Sequence, residues 1–156
     1  MNENTCCFTG HRRLPADKIG SITRKLEYEV EQLIKKGVTD FISGGALGFD
    51  QMAASLIIAK KQMGKDIRLI FALPCKNQDE RWNDKQKTFY KDLLKEADEI
   101  FYTSESYHAT CMKGRNQFMV EHSMHCICAL LHDRSGTSST VRYAYQKGLN
   151  VRNVAK

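Results

Sequence analysis

Three glycines fall within five residues in Ser43-Gly44-Gly45-Ala46-Leu47-Gly48-Phe49-Asp50. Glycine leaves backbone N–H groups uncovered, and a segment with helical periodicity follows directly. Free N–H groups and the positive end of a helix dipole attract anions, so the chemistry suggested is phosphate binding. No Gly-Lys-Ser/Thr follows, so this is not a Walker loop, and the spacing is not the Gly-x-Gly-x-x-Gly of dinucleotide folds. Asp50 at the helix start has two readings, a helix cap or an acceptor for a ribose hydroxyl.

A second cluster is Asp133-Arg134-Ser135-Gly136-Thr137-Ser138-Ser139-Thr140. One Ser or Thr suffices to cap a helix. Glycine followed by four hydroxyl residues adds O–H donors to the backbone N–H groups and favours a second anion cradle. Thr9-Gly10-His11-Arg12-Arg13 pairs a turn-forming glycine with cationic and polar groups, and Arg12 could grip a phosphate with two hydrogen bonds. Trp82, the single tryptophan, stands in a polar stretch with Gln78, Asp79 and Arg81. It could stack on a base, although anchoring a helix to the core is the slightly favoured reading. Arg115 and Asn116 open a helix within reach of the same ligand. His122, His125 and His132 read as structural.

These residues need a scaffold that brings distant loops together. Short apolar runs at Thr5–Thr9, Phe41–Ser43, Ile67–Leu73, Glu99–Tyr102, His125–Leu131 and Asn150–Val154 read as strands. Periodic segments at about Ala16–Lys36, Phe49–Met63, Asn83–Glu96, Gly114–Ser123 and Thr137–Lys147 read as helices. Regular alternation of the two predicts an α/β fold, one Rossmann-like three-layer domain over residues 1–156. Its sheet should be mostly parallel, with helices on both faces. Right-handed crossovers place every strand-to-helix loop on one sheet edge, where such folds bind ligands. The chemically rich loops are the strand-to-helix ones.

The 156 residues suit one domain. No apolar run approaches a membrane span, and the polar start Met1-Asn2-Glu3-Asn4 is unlike a signal peptide. A cytoplasmic protein without membrane partners is expected. The net charge of +6 allows an anionic ligand, but surface pairs such as Lys35-Lys36 and Lys60-Lys61 read as solvated faces. The six cysteines read as buried free thiols, ahead of a metal site built from His122, His125, Cys126 and Cys128. No metal and no obligatory cofactor is expected.

The order TGHR (9–12), SGGALGFD (43–50), Pro74–Gln78–Trp82, RNQ (115–117) and GTSSTVRYA (136–144) resembles the SLOG superfamily. The chain looks like its short YpsA-like branch, which includes prophage-encoded members. SGGALGFDQMAA and GTSST are also similar to motifs of the DNA-processing protein DprA. The resemblance implies a Rossmann-like fold that binds nucleotides, ADP-ribose-like signals or nucleotide sugars, often as a homodimer. Some relatives, the LOG enzymes, release a base from a nucleoside monophosphate. They carry Gly-Gly-x-Gly-Thr followed shortly by a catalytic glutamate, whereas Ser138, Ser139, Thr140 and Val141 follow Gly136-Thr137 here. Glycosidic cleavage needs an acid or base near the anomeric carbon, and only Asp50, Asp133 or Glu121 could substitute. Ligand binding or sensing therefore ranks first. Its expected site is Gly10, His11, Arg12, Ser43, Gly44, Gly45, Gly48, Asp50, Trp82, Arg115, Asn116, Asp133, Gly136, Thr137, Ser138 and Thr140. N-glycosidic hydrolysis, with Asp50 the candidate catalytic residue, ranks second. DprA-like single-strand DNA binding ranks last, since no basic stripe is interleaved with aromatics.

Overall fold

A computed structural model describes residues 2–156; Met1 lies outside the described residues. The chain runs β1 (Thr5–Gly10), α1 (Ile19–Lys35), β2 (Asp40–Ser43), α2 (Phe49–Gln62), β3 (Arg68–Leu73), α3 (Asp84–Lys95), β4 (Glu99–Tyr102), α4 (Cys111–Glu121), β5 (His125–Ala129), α5 (Gly136–Gln146) and β6 (Asn150–Asn153). A short 3-10 turn, Ala16–Lys18, precedes α1. The six strands form one sheet in the order β4-β3-β2-β1-β5-β6, and all five pairings are parallel.

Strand alternation divides the core in two. Cys6, Phe8, Phe41, Leu69 and Phe71 pack beneath α1, α2 and α3. Cys7, Ile42, Ile70, Cys126 and Cys128 pack beneath α4 and α5. Cys126 and Cys128 thus share a face, as period-two geometry requires. All six cysteines are buried free thiols. Helices on both faces explain why the central strands are apolar throughout.

Two boundaries and one burial differ from the sequence reading. Helix α4 starts at Cys111, one turn before Gly114, because its inward stripe is Cys111, Arg115 and Met119. A buried arginine in the middle of that stripe hides the period. Strand β5 ends at Ala129, because the Asn153 side chain both accepts from Leu130 N–H and donates to Leu130 O, while Leu131 N–H donates to the His11 ring. Lys60 is not a solvated residue. It is 4% exposed and fastens α2 to α1 through Glu27 and Glu31.

Chain order runs outward from β1 to β4 on one side and resumes at β5 on the other. The order therefore reverses between β1 and β5, where the carboxyl ends diverge and leave a crevice.

Candidate functional site

A cleft of about 310 Å³ fills that crevice. Its walls are Thr9, Gly10, His11 and Arg12 after β1, Ala46 and Asp50 around the start of α2, Met112, Arg115 and Asn116 of α4, and Ser135, Gly136 and Thr137 at the start of α5. A second lobe of about 340 Å³ adjoins it. Arg12 and Met112 line both, and Asn77, Gln78, Glu80, Arg81, Trp82 and Tyr107 complete the second.

The Ser43–Asp50 loop is held by its own chain. Ser43 is fully buried, donates to Asp50 O and accepts from Gly45 N–H. Gln51 donates to Gly45 O, and Phe49 N–H donates to His11 O. Gly48 has φ +84°, and a Cβ there would lie 2.3 Å from Arg12 O, so no other residue lets the two loops touch. A Cβ on Gly10 would meet Phe49 at 2.5 Å, and one on Gly45 would meet Leu73 at 3.0 Å. These glycines serve close packing of β1, α2 and the sheet. The anion cradle expected of this loop is thus largely occupied by the chain itself.

Gly44 lies against two buried ionisable side chains, Arg115 and Asp50. A Cβ there would fall 2.5 Å from Arg115 Nη1 and 2.8 Å from Asp50 Oδ2. Arg115, 4% exposed, donates from Nη1 to Gly44 O at 2.6 Å and from Nε to Asn116 Oδ1 at 2.8 Å. Its guanidinium is therefore a keystone joining α4 to the β2–α2 loop, and burial lowers its pKa. Asp50 is 5% exposed. Burial raises its carboxyl to about 6, against the opposing pull of Arg115, the Ala46 backbone and Arg12. A carboxyl that changes charge just below neutral pH thus lines the cleft.

The opposite wall is open. The β5–α5 loop ends in a capping box, in which Ser135 accepts from Ser138 N–H and Ser138 accepts from Ser135 N–H. Ser138 and Thr140 are therefore committed to the helix; the Thr140 hydroxyl donates to Gly136 O. Thr137 faces the cleft, and a Cβ on Gly136 would meet nothing within 4 Å. Asp133 is exposed in the loop before the cap and is not among the cleft-lining residues.

Between the walls stand His11 and Arg12. His11 Nε2 accepts from Leu131 N–H at 3.0 Å, which leaves the ring proton on Nδ1. Burial, then the neighbouring His132 stacked on it at 4.1 Å, lower its pKa and keep it neutral. Arg12 is exposed and forms no ion pair among the described residues. It is the uncommitted cation of the cleft. Trp82 packs edge-on against Tyr90 at 5.0 Å and also lines the second lobe. The contact with Tyr90 of α3 fits the anchoring role.

Met112 belongs to the cleft and carried no signal in the sequence, whereas Ala46 and Ser135 fall within the two glycine loops without being singled out as site residues. Gln78 was visible as a polar residue near Trp82, but only the fold reveals that it is buried beneath Gly44 and Tyr90.

An all-parallel, three-layer α/β sheet with a polar cleft at its switch point defines a Rossmann-like domain. The model of the YspA SLOG family matches residues 7–154, and the chain belongs to that family. It is 35% identical over 133 residues to the SPbeta prophage-derived protein YoqJ of Bacillus subtilis, covering 77% of this chain and 78% of that one. A UPF0398 protein of Halalkalibacterium halodurans is 28% identical over 120 residues, covering 76% of this chain and 64% of that protein. DprA from Streptococcus pneumoniae superposes with a TM-score of 0.69 at 16% identity, over 94% of this chain and 48% of DprA. DprA from Helicobacter pylori, described for its single-stranded DNA binding mode, gives 0.63 at 22% identity, over 94% and 64%. The chain thus spans less than two thirds of the UPF0398 protein and of both DprA chains. No described helix is long and apolar enough to cross a membrane.

Proposed function

We propose that the protein binds a nucleotide-derived ligand, with its phosphate and ribose in the cleft between β1 and β5. The observation that carries this reading is the uncovered first turn of α5 at Gly136-Thr137, facing the uncommitted Arg12 and the buried Asp50 across one cleft. Backbone N–H groups at a helix start and a guanidinium are complementary to phosphate. A carboxylate in the same cleft suits a ribose hydroxyl. The net charge of +6 favours approach of an anion.

Thermal denaturation with ADP-ribose, adenosine monophosphate and a nucleotide sugar tests it. A ligand at 100 times its Kd stabilises by about 2.7 kcal/mol, which for this size raises Tm by about 5–10 °C. Arg12→Ala should remove most of that rise. No shift with any of the three would overturn the reading.

One observation favours a second reading, hydrolysis of the N-glycosidic bond. A carboxyl poised near 6 is matched to general acid–base work at neutral pH. Chromatographic detection of free base from a nucleoside monophosphate checks it, with Asp50→Asn expected to bind without turnover. Absence of base at long incubation excludes it. The likeness to the Helicobacter pylori DprA fold makes single-stranded DNA a third probe, for which binding must weaken steeply with salt.

A further inference from the structure

Gln78 holds the one buried side-chain polar atom without a partner among the described residues. Its Oε1 makes no hydrogen bond, although the residue is only 8% exposed. The amide orientation is fixed from behind. Nε2 donates to Gly44 O at 3.3 Å and to Tyr90 Oη at 2.9 Å, which uses both of its hydrogens. Turning the amide over would set Oε1 against the Gly44 carbonyl, oxygen to oxygen. Gly44 O is held by Arg115 as well, so it cannot turn away. Gln78 lines the second lobe, and its Oε1 is an acceptor buried beneath that lobe's surface with no donor of its own. Burying such an atom without a partner is unfavourable, and native proteins rarely leave one so.

The rest of that lobe has the chemistry of a base pocket. Trp82, half-buried and braced edge-on by Tyr90, and Tyr107, 61% exposed, both line it. Aromatic rings in such a pocket stack on nucleobases. Arg12 and Met112 stand at the junction with the phosphate lobe. A ligand with its phosphate on α5 would pass Arg12 and enter this lobe with its far end.

We propose that the second lobe is a nucleobase subsite in which Gln78 Oε1 selects an exocyclic amino group, as on adenine or cytosine, over a ring oxo group. This rests on the nucleotide-binding reading above. An amine supplies the missing donor. An oxo oxygen at the same place would face Oε1 with a second lone pair, leaving both atoms unsatisfied.

The test is calorimetric titration of the whole protein with AMP, IMP, CMP and UMP, and with ribose 5-phosphate as a probe lacking a base. Trp82, the single tryptophan, reports occupancy of the lobe by its fluorescence. AMP and CMP should bind about 10–100-fold more tightly than IMP and UMP, from the usual effect of an unpaired buried polar group. Both should quench Trp82, and ribose 5-phosphate should bind without quenching. Gln78→Met should bring the four nucleotides within about threefold of one another, with ribose 5-phosphate unchanged. Should that variant not fold, the comparison of the four nucleotides on the unaltered protein decides alone. Equal affinities for all four, or binding without quenching, would overturn the base subsite and leave the phosphate cleft standing. If no nucleotide and no ribose 5-phosphate bind, both readings fall together.

Discussion

Replacing Asp50 by asparagine should make the protein more stable at neutral pH and less sensitive to pH. The carboxyl is buried, and its pKa rises from the ordinary 3.8 to about 6. Between those values the folded state holds a proton that the unfolded chain releases. Stability from this group is therefore complete below pH 3.8 and falls as pH rises through about 6. At about 1.36 kcal/mol per pH unit, the loss by pH 7.5 is about 3 kcal/mol relative to a neutral side chain. Asparagine keeps the shape and an oxygen for the Ala46 backbone but carries no charge. With about 2–4 °C of Tm per kcal/mol at this chain length, Asp50→Asn should melt about 6–12 °C higher at pH 7.5. The gap should close towards pH 4. Melting curves of both proteins from pH 4 to 7.5 in one buffer series, without ligand, measure it. A variant less stable than the parent at pH 7.5, or a gap that ignores pH, would refute the burial argument. A stable variant that has lost ligand affinity would mark Asp50 as retained for function at the expense of stability.

Arg115→Met leaves Gly44 O with Gln78 Nε2 as its one side-chain donor and removes a cation that holds down the Asp50 pKa, and should destabilise by about 1–3 kcal/mol. Adding Asp50→Asn should recover part of that loss, and denaturant melts of the double-mutant cycle would reveal the coupling. Gly48→Ala should not yield folded protein, since its Cβ would lie 2.3 Å from the Arg12 carbonyl at a φ of +84°. Gly136→Ala meets nothing within 4 Å, so Tm should hold while nucleotide affinity drops; equal damage from both glycine changes would contradict this. Ser135→Ala removes the α5 cap and should lower stability by about 1 kcal/mol, measured in urea.

Much of this was legible in the residues. Alternating apolar runs and 3.6-periodic segments specify the strands, the helices and a parallel sheet, because each element needs an apolar face to bury. Right-handed crossovers then send the Gly10, Gly44–Gly48 and Gly136–Thr140 loops to one edge. The start of α4 was illegible for a specific reason: its buried stripe contains Arg115, and hydrophobic periodicity cannot register a charged side chain that hydrogen bonds later hold inside.

The glycine loops show best where sequence ends and tertiary structure begins. Sequence determines that Ser43–Asp50 and Asp133–Thr140 each combine a tight turn with a helix start, because that depends on local chain sterics. It treats the two loops as equivalent. Only the packed fold separates them. In one, Gly48 receives the Arg12 carbonyl and Gly44 lies against Arg115 and Asp50, so the loop is filled by its own protein. In the other, Gly136 faces open space. The strand order set the cleft between β1 and β5, and burial raised the Asp50 pKa and left Gln78 Oε1 without a partner. Neither effect exists in an isolated segment, since desolvation is produced by neighbours that arrive from elsewhere in the chain.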